Sequence, residues 1–121
     1  MTHSTTSSRH DDRDVVTQFK HEVNMTRSEL TRWLKTDESL GVGQKRSGGE
    51  STGHRSGRRI VELLGKKKSE LEQDDLKHMR KVLGYIKRHM AQRPEQAHEE
   101  LGESAWRYSL MNWGHDPLKS R

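Results

Sequence analysis

Residues 73–92 read QDDLKHMRKVLGYIKRHMAQ. Leu76, Met79, Leu83, Ile86 and Met90 recur at spacings of three, four, three and four, which lines one face of an α-helix. Val82 and Tyr85 widen that stripe. Asp74 and Asp75 stand in the first turn, and Lys87 and Arg88 stand toward the other end, as the helix macrodipole favours. Pro94 closes the segment. Gly84 costs about 1 kcal/mol relative to Ala in such a helix, and close contact with another helix is a reason to keep it. A long amphipathic helix of this kind needs other helices to cover its apolar face.

The flanking sequence supplies them. Ile60, Val61, Leu63 and Leu64 follow Ser56, a candidate N-cap, and precede Lys66, Lys67 and Lys68. Thr26 and Glu29 have capping-box spacing, with Met25 and Leu30 placed as a hydrophobic staple. The helix they open carries Leu30, Trp33 and Leu34. Val15, Val16, Phe19 and Val23 share one face of an earlier helix, and Trp106, Leu110 and Trp113 share one side of a last short helix that Gly114 stops. The sequence predicts an all-α fold: one small helical bundle of four or five helices over residues 15–119, behind a disordered tail at 1–14. Leu30, Trp33, Ile60, Leu64, Met79, Leu83, Ile86, Trp106 and Trp113 are the expected core. From Gly41 to Gly57 the chain reads GVGQKRSGGESTGHRSG, a long basic loop rich in glycine, and loops of that length tend to be functional.

Composition limits the size of the core. Of 121 residues, 27% are hydrophobic and 34% charged. Net charge is +5 and the pI about 9.7, a balance that suits anionic partners. There is no cysteine, which rules out disulfides, zinc-thiolate sites and thiol catalysis. No apolar run approaches a membrane span and residues 1–14 lack a signal-peptide core, so the expected location is cytoplasmic, with no membrane partner.

The motifs of common chemistries are missing. Neither G-x-G-x-x-G nor G-x-x-x-x-G-K-[ST] occurs in the glycine-rich segment, and no strand precedes it. His78 and His89 are eleven residues apart on one helix, three turns, and cannot share an ion. His115-Asp116 has no further ligand at metal spacing. Glu50, Ser51 and His54 read as a polar turn. No catalytic residue, metal site or cofactor is expected, and the protein is read as a non-enzyme.

Charge placement says more. Between Gln44 and Lys68 eight cations face only Glu50 and Glu62, and between Lys77 and Arg93 six cations stand without a carboxylate. Cations gathered on one surface exchange condensed counterions for phosphate contacts. The leading expectation is a nucleic-acid-binding protein, for DNA before RNA, contacting phosphates through Lys45, Arg46, Arg55, Arg58, Arg59, Arg80, Lys87 and Arg88. The alternative is a protein-interaction or regulatory module that docks through the loop and the Trp-rich C-terminal segment. The helices at 56–66 and 73–92 lack the short turn of a helix-turn-helix, so no recognition helix is assigned.

Four stretches carry a resemblance: NMTRSELTRWLKTDES at 24–39, VGQKRSGGESTGHRSGRRIVELL at 42–64, HMRKVLGYIKRHMAQRP at 78–94 and WRYSLMNWGHDPLK at 106–119. Over roughly Asn24 to Lys119 the chain resembles the bacterial and fungal domain-of-unknown-function family 3140. Members of that family are often labelled DNA-binding proteins, so the resemblance implies DNA binding and carries no catalytic residue across. Glu72 departs from the Thr expected there as a helix cap.

Overall fold

The computed structural model describes residues 3–43, 49–95 and 98–119; the side chains of residues 3–11, 98 and 99 are outside that description. It is all-α. In chain order the helices are α1 (His3–Glu22), α2 (Arg27–Trp33), α3 (Asp37–Gly41), α4 (Thr52–Leu64), α5 (Gln73–Met90), α6 (His98–Leu101) and α7 (Ala105–Asn112), with a 3₁₀ turn at Lys68–Glu70. No strand occurs among the described residues.

Two groups of contacts make the bundle. The long helix α5 packs on α1, where Val16 and Phe19 meet the apolar stripe of Met79, Val82 and Ile86. The short helix α7 touches α2, α3, α4 and α5 and is the hub of the molecule. Trp106 and Leu110 on α7, with Trp113 just beyond it, are buried. Asn112 is also buried, and its amide organises the hub. Its Oδ1 accepts from Trp33 Nε1 at 2.8 Å and from the Ser39 hydroxyl, and its Nδ2 donates to the Ser39 carbonyl at 3.1 Å. Every polar atom of that buried amide that can bond to α2 and α3 does so, which is the condition for keeping a polar group in a core.

Local chemistry sets the helix starts. The Thr26 hydroxyl accepts from the Glu29 amide at 3.1 Å and Glu29 accepts from the Thr26 amide at 2.7 Å, the capping box read from the sequence. The hydroxyls of Thr36, Ser51 and Ser104 cap α3, α4 and α7 by accepting the amides of Ser39, His54 and Arg107, without the reciprocal bond. At α5, Asp75 accepts from the Glu72 amide, so the N-terminal donor is satisfied from inside the helix rather than by residue 72.

Several expectations need correcting. Helix α1 starts at His3, not Val15. No glycine or proline interrupts residues 4–14, and Asp12 is tied to Arg80 of α5. The glycine-rich loop is shorter than expected. Gly41 closes α3, and α4 starts after Ser51 instead of Ser56, because the Ser51 hydroxyl takes the His54 amide at 3.0 Å. Gly53 and Gly57 are therefore helical; Val42, Gly43 and residues 49–51 are the described non-helical positions between α3 and α4, and residues 44–48 lie outside the described residues. Trp33, Leu64 and Leu83 are half-buried, while Leu34, Leu63 and Val82 take the inner positions. Gly84 makes no helix contact: a Cβ there would meet only the guanidinium of Arg88.

The C-terminal segment is docked on the bundle. Arg107 holds Asp116 with two bonds of 3.0 and 2.9 Å. Asn24 exchanges bonds with the backbone of Asp116 at 3.0 and 2.8 Å, and the Lys119 ammonium reaches Glu29. Gly114 adopts φ +81°, a left-handed turn, and a Cβ there would lie 2.9 Å from Val23.

Acid should unfold the protein in two stages. Burial pushes the His78 and His89 imidazoles below their ordinary value of 6.5. The unfolded chain then binds more protons than the folded one as pH falls below about 6.5, so stability declines there. Glu29 is lowered to about 2, first by Lys119 and then by the Thr26 amide. Glu50 is lowered to about 2, first by Arg58 and then by His54. Asp75 is lowered to about 2 by Lys66, the Glu72 amide and Arg59. The stability these carboxylates contribute is present above their ordinary values of 4.5 and 3.8 and is lost as pH falls toward 2. Thermal melts between pH 7.5 and pH 2.5 (about half a unit apart) should show a shallow decline followed by a steep one. A melting temperature that is flat from pH 7 to 3 would contradict this assignment.

Candidate nucleic-acid interface

The eight cations expected to meet phosphate divide into three groups. Lys45 and Arg46 lie outside the described residues. Arg55, Arg58, Arg59 and Arg80 are occupied inside the protein to different degrees. Arg58 grips Glu50 through Nε and Nη2 at 2.8 and 2.6 Å. Arg55 is exposed, with its Nε 3.9 Å from the same carboxylate. Arg59 donates to Asp74 at 3.1 Å and to the buried Asp75 at 2.8 Å, and Lys66 reaches Asp75 at 2.7 Å. Arg80 donates to Asp12 at 2.8 Å. Only Lys87 and Arg88 are both exposed and without a carboxylate partner among the described residues.

Lys77 and Lys81, not among the eight, complete that last group. Both are exposed and neither has a carboxylate within ion-pair distance among the described residues. At 100° per residue, Lys77, Lys81, Lys87 and Arg88 fall within an arc of about 120°. Met79, Val82 and Ile86 occupy the opposite side of α5 and are buried. The cationic stripe runs for about 16 Å along the helix, from Lys77 to Arg88. Helical projection of the sequence finds these four, together with Arg80, which falls in the same arc and which the fold pairs with Asp12.

Beside the stripe, α5 and the C-terminal segment make a ladder of rings. His78 stacks with Trp113 at 6.4 Å between centroids, Trp113 with Tyr85 at 4.2 Å, Tyr85 with His89 at 5.0 Å and His89 with Trp106 at 6.5 Å. The Trp-rich end is thus built into the fold. Leu40 is the exposed large hydrophobic side chain among the described residues.

Three histidines have structural partners. His54 places one ring nitrogen on Glu50 and the other 2.8 Å from the Leu34 carbonyl, His78 meets the Ser56 hydroxyl at 3.0 Å, and His115 bonds to the Glu22 carbonyl. Among the described residues no three His, Asp or Glu side chains are grouped to hold a metal ion. No helix among them is long and apolar enough to cross a membrane.

A family model described as "Protein of unknown function (DUF3140)" matches residues 18–111. The chain belongs to that family. The matched span of this DUF3140 chain covers residues 18–22 of α1, all of α2 to α6, and α7 short of Asn112. No curated protein and no solved structure matches the chain.

Proposed function

We propose that this DUF3140 protein binds nucleic acid, duplex DNA first, by laying the outer face of α5 along the phosphate backbone. The supporting observation is the contrast among its cations. Arg58, Arg59 and Arg80 are committed to Glu50, Asp74, Asp75 and Asp12, whereas Lys77, Lys81, Lys87 and Arg88 stand exposed on one side of one helix. Four cations along a rigid rod suit the repeating charge of a duplex, and contacts to phosphate position a protein without reading base sequence. Binding should therefore tolerate sequence changes. The same reading has the protein act in the cytoplasm without a catalytic group or cofactor.

A docking role for the Trp-rich end has less support, since Trp106 and Trp113 are buried in the ring ladder. The test is a salt series of gel shifts on unrelated duplexes. With about four phosphates neutralised, log K should fall against log salt with a slope of roughly −3.6. Absence of binding at about 50 mM salt, where this electrostatic contribution is strong, would overturn the reading.

A further inference from the structure

A cavity of about 380 Å³ opens between the start of α4, the middle of α5 and the end of α7. Its wall carries Lys81 and Arg88, two turns apart on α5, and neither is neutralised among the described residues. No Asp or Glu among the described residues lines it. Thr52 and Gly53, the first two residues of α4, lie on the opposite wall. Ser51 takes the amides of His54 and Arg55. The amides of Thr52 and Gly53 come earlier in the helix and have no acceptor within it.

A second observation points the same way. Trp33 and Trp106 each bond their indole N–H, to Asn112 and to the His89 carbonyl. Trp113, only 4% exposed, has no hydrogen-bond partner for its Nε1 among the described residues. That nitrogen is not sealed in the core, where His89 Nε2 is the unpartnered side-chain atom. It lies 3.2 Å from the point a Gly53 Cβ would occupy, and both residues line the cavity. Glycine at position 53 leaves the indole N–H uncovered.

We infer that this cavity is a site for a nucleotide phosphate. The ammonium of Lys81 and the guanidinium of Arg88 supply charge, and the Trp113 N–H and the first amides of α4 supply directed donors. The cavity exceeds the size of a bare phosphate, and the edges of Tyr85 and Trp113 offer apolar surface to the organic part. Two sources share this chemistry, a free mononucleotide and an unpaired nucleotide within a strand. The inference shares Lys81 and Arg88 with the duplex-binding face and in that respect rests on it, but Trp113 and Gly53 belong to the cavity alone.

Titration calorimetry on the full chain tests it, using adenosine 5′-monophosphate, adenosine, a single-stranded oligonucleotide and a duplex. Saturable binding of the monophosphate or the single strand is expected, and which of them binds identifies the source. Adenosine should bind at least about tenfold more weakly than the monophosphate, having lost the charge-assisted bonds. Lys81→Gln and Arg88→Gln, both at exposed positions, should each weaken binding about tenfold. Trp113→Phe keeps a ring for the ladder and removes the N–H. It should weaken the monophosphate or strand about tenfold and leave duplex affinity and its salt slope unchanged. Failure of both the monophosphate and the single strand to bind overturns the inference even where the duplex binds. Equal affinity of the wild type, Trp113→Phe and Lys81→Gln for the nucleotide overturns it too. A duplex that fails to bind while the nucleotide binds defeats the α5-face reading and leaves the cavity standing.

Discussion

Replacing Gly57 by Ala is expected to destabilise the protein by about 3 kcal/mol, although Ala is the better helix former. A Cβ at this position would lie 2.6 Å from the backbone oxygen of Asn112 and 2.6 Å from Leu34 Cδ2. The first of these atoms cannot easily retreat. Asn112 is anchored by Trp33 and Ser39, so moving its backbone would disturb the buried bonds that join α7 to α2 and α3. Leu34 is buried as well. Helix propensity alone would gain about 1 kcal/mol, and overpacking reverses the sign. In a domain of this size the melting temperature should fall by about 12 °C. Gly41→Ala is the control: nothing lies within 4 Å of a Cβ there, and its melting temperature should barely move. A Gly57→Ala variant as stable as the wild type would mean that α4 and α7 are not in contact at this point.

The fold was legible where periodicity and capping agreed. The spacing of Leu76, Met79 and Ile86 gives α5, and Thr26 with Glu29 gives the start of α2. The stretch 41–57 was misread because glycine has two uses. Local reasoning takes Gly53 and Gly57 as loop residues, but in the fold they are helical and let Trp113, Leu34 and the Asn112 backbone come close. No local rule distinguishes the two cases, since the reason lies in residues far away along the chain, Leu34, Asn112 and Trp113. The role of Asn112 was hidden for the same reason: its partners are Ser39 and Trp33.

The interface was half legible. Charge counted along the chain identified residues 77–93 as cationic and placed Lys87 and Arg88 in the contact set. It also counted Arg58, Arg59 and Arg80: Arg58 is held by Glu50 from within the counted window, whereas the partners of the other two come from elsewhere, Asp74 and Asp75 from the first turn of α5 and Asp12 from α1. A count over a window cannot see charges that folding brings in from outside it. Helical projection of α5 was the signal that could have added Lys77 and Lys81, because it sets them opposite the apolar stripe, although it leaves Arg80 in the same arc.

Replacing Lys77, Lys81, Lys87 and Arg88 together by Gln should remove most duplex binding. At about 50 mM salt the affinity should drop by roughly three orders of magnitude or more, since each lost phosphate contact removes about 0.9 from the salt slope. Folding should persist, because all four side chains are exposed, no ion pair among the described residues is broken, and Gln is a good helix former. Circular dichroism and a thermal melt would establish that the variant is folded before its binding is read.

The measurement that bears most directly on the interface compares two variants in one salt titration on the same duplex. One carries the four Gln substitutions on α5, and the other carries Arg58→Ala with Arg59→Ala. The four-Gln variant should show a slope near zero, from a wild-type value of roughly −3.6. The double arginine variant should melt earlier, having left the buried Asp75 with fewer partners, yet keep a slope of roughly −3.6. The opposite result, a flattened slope for the arginine pair and an unchanged one for the α5 variant, would contradict the account and place the phosphates on α4.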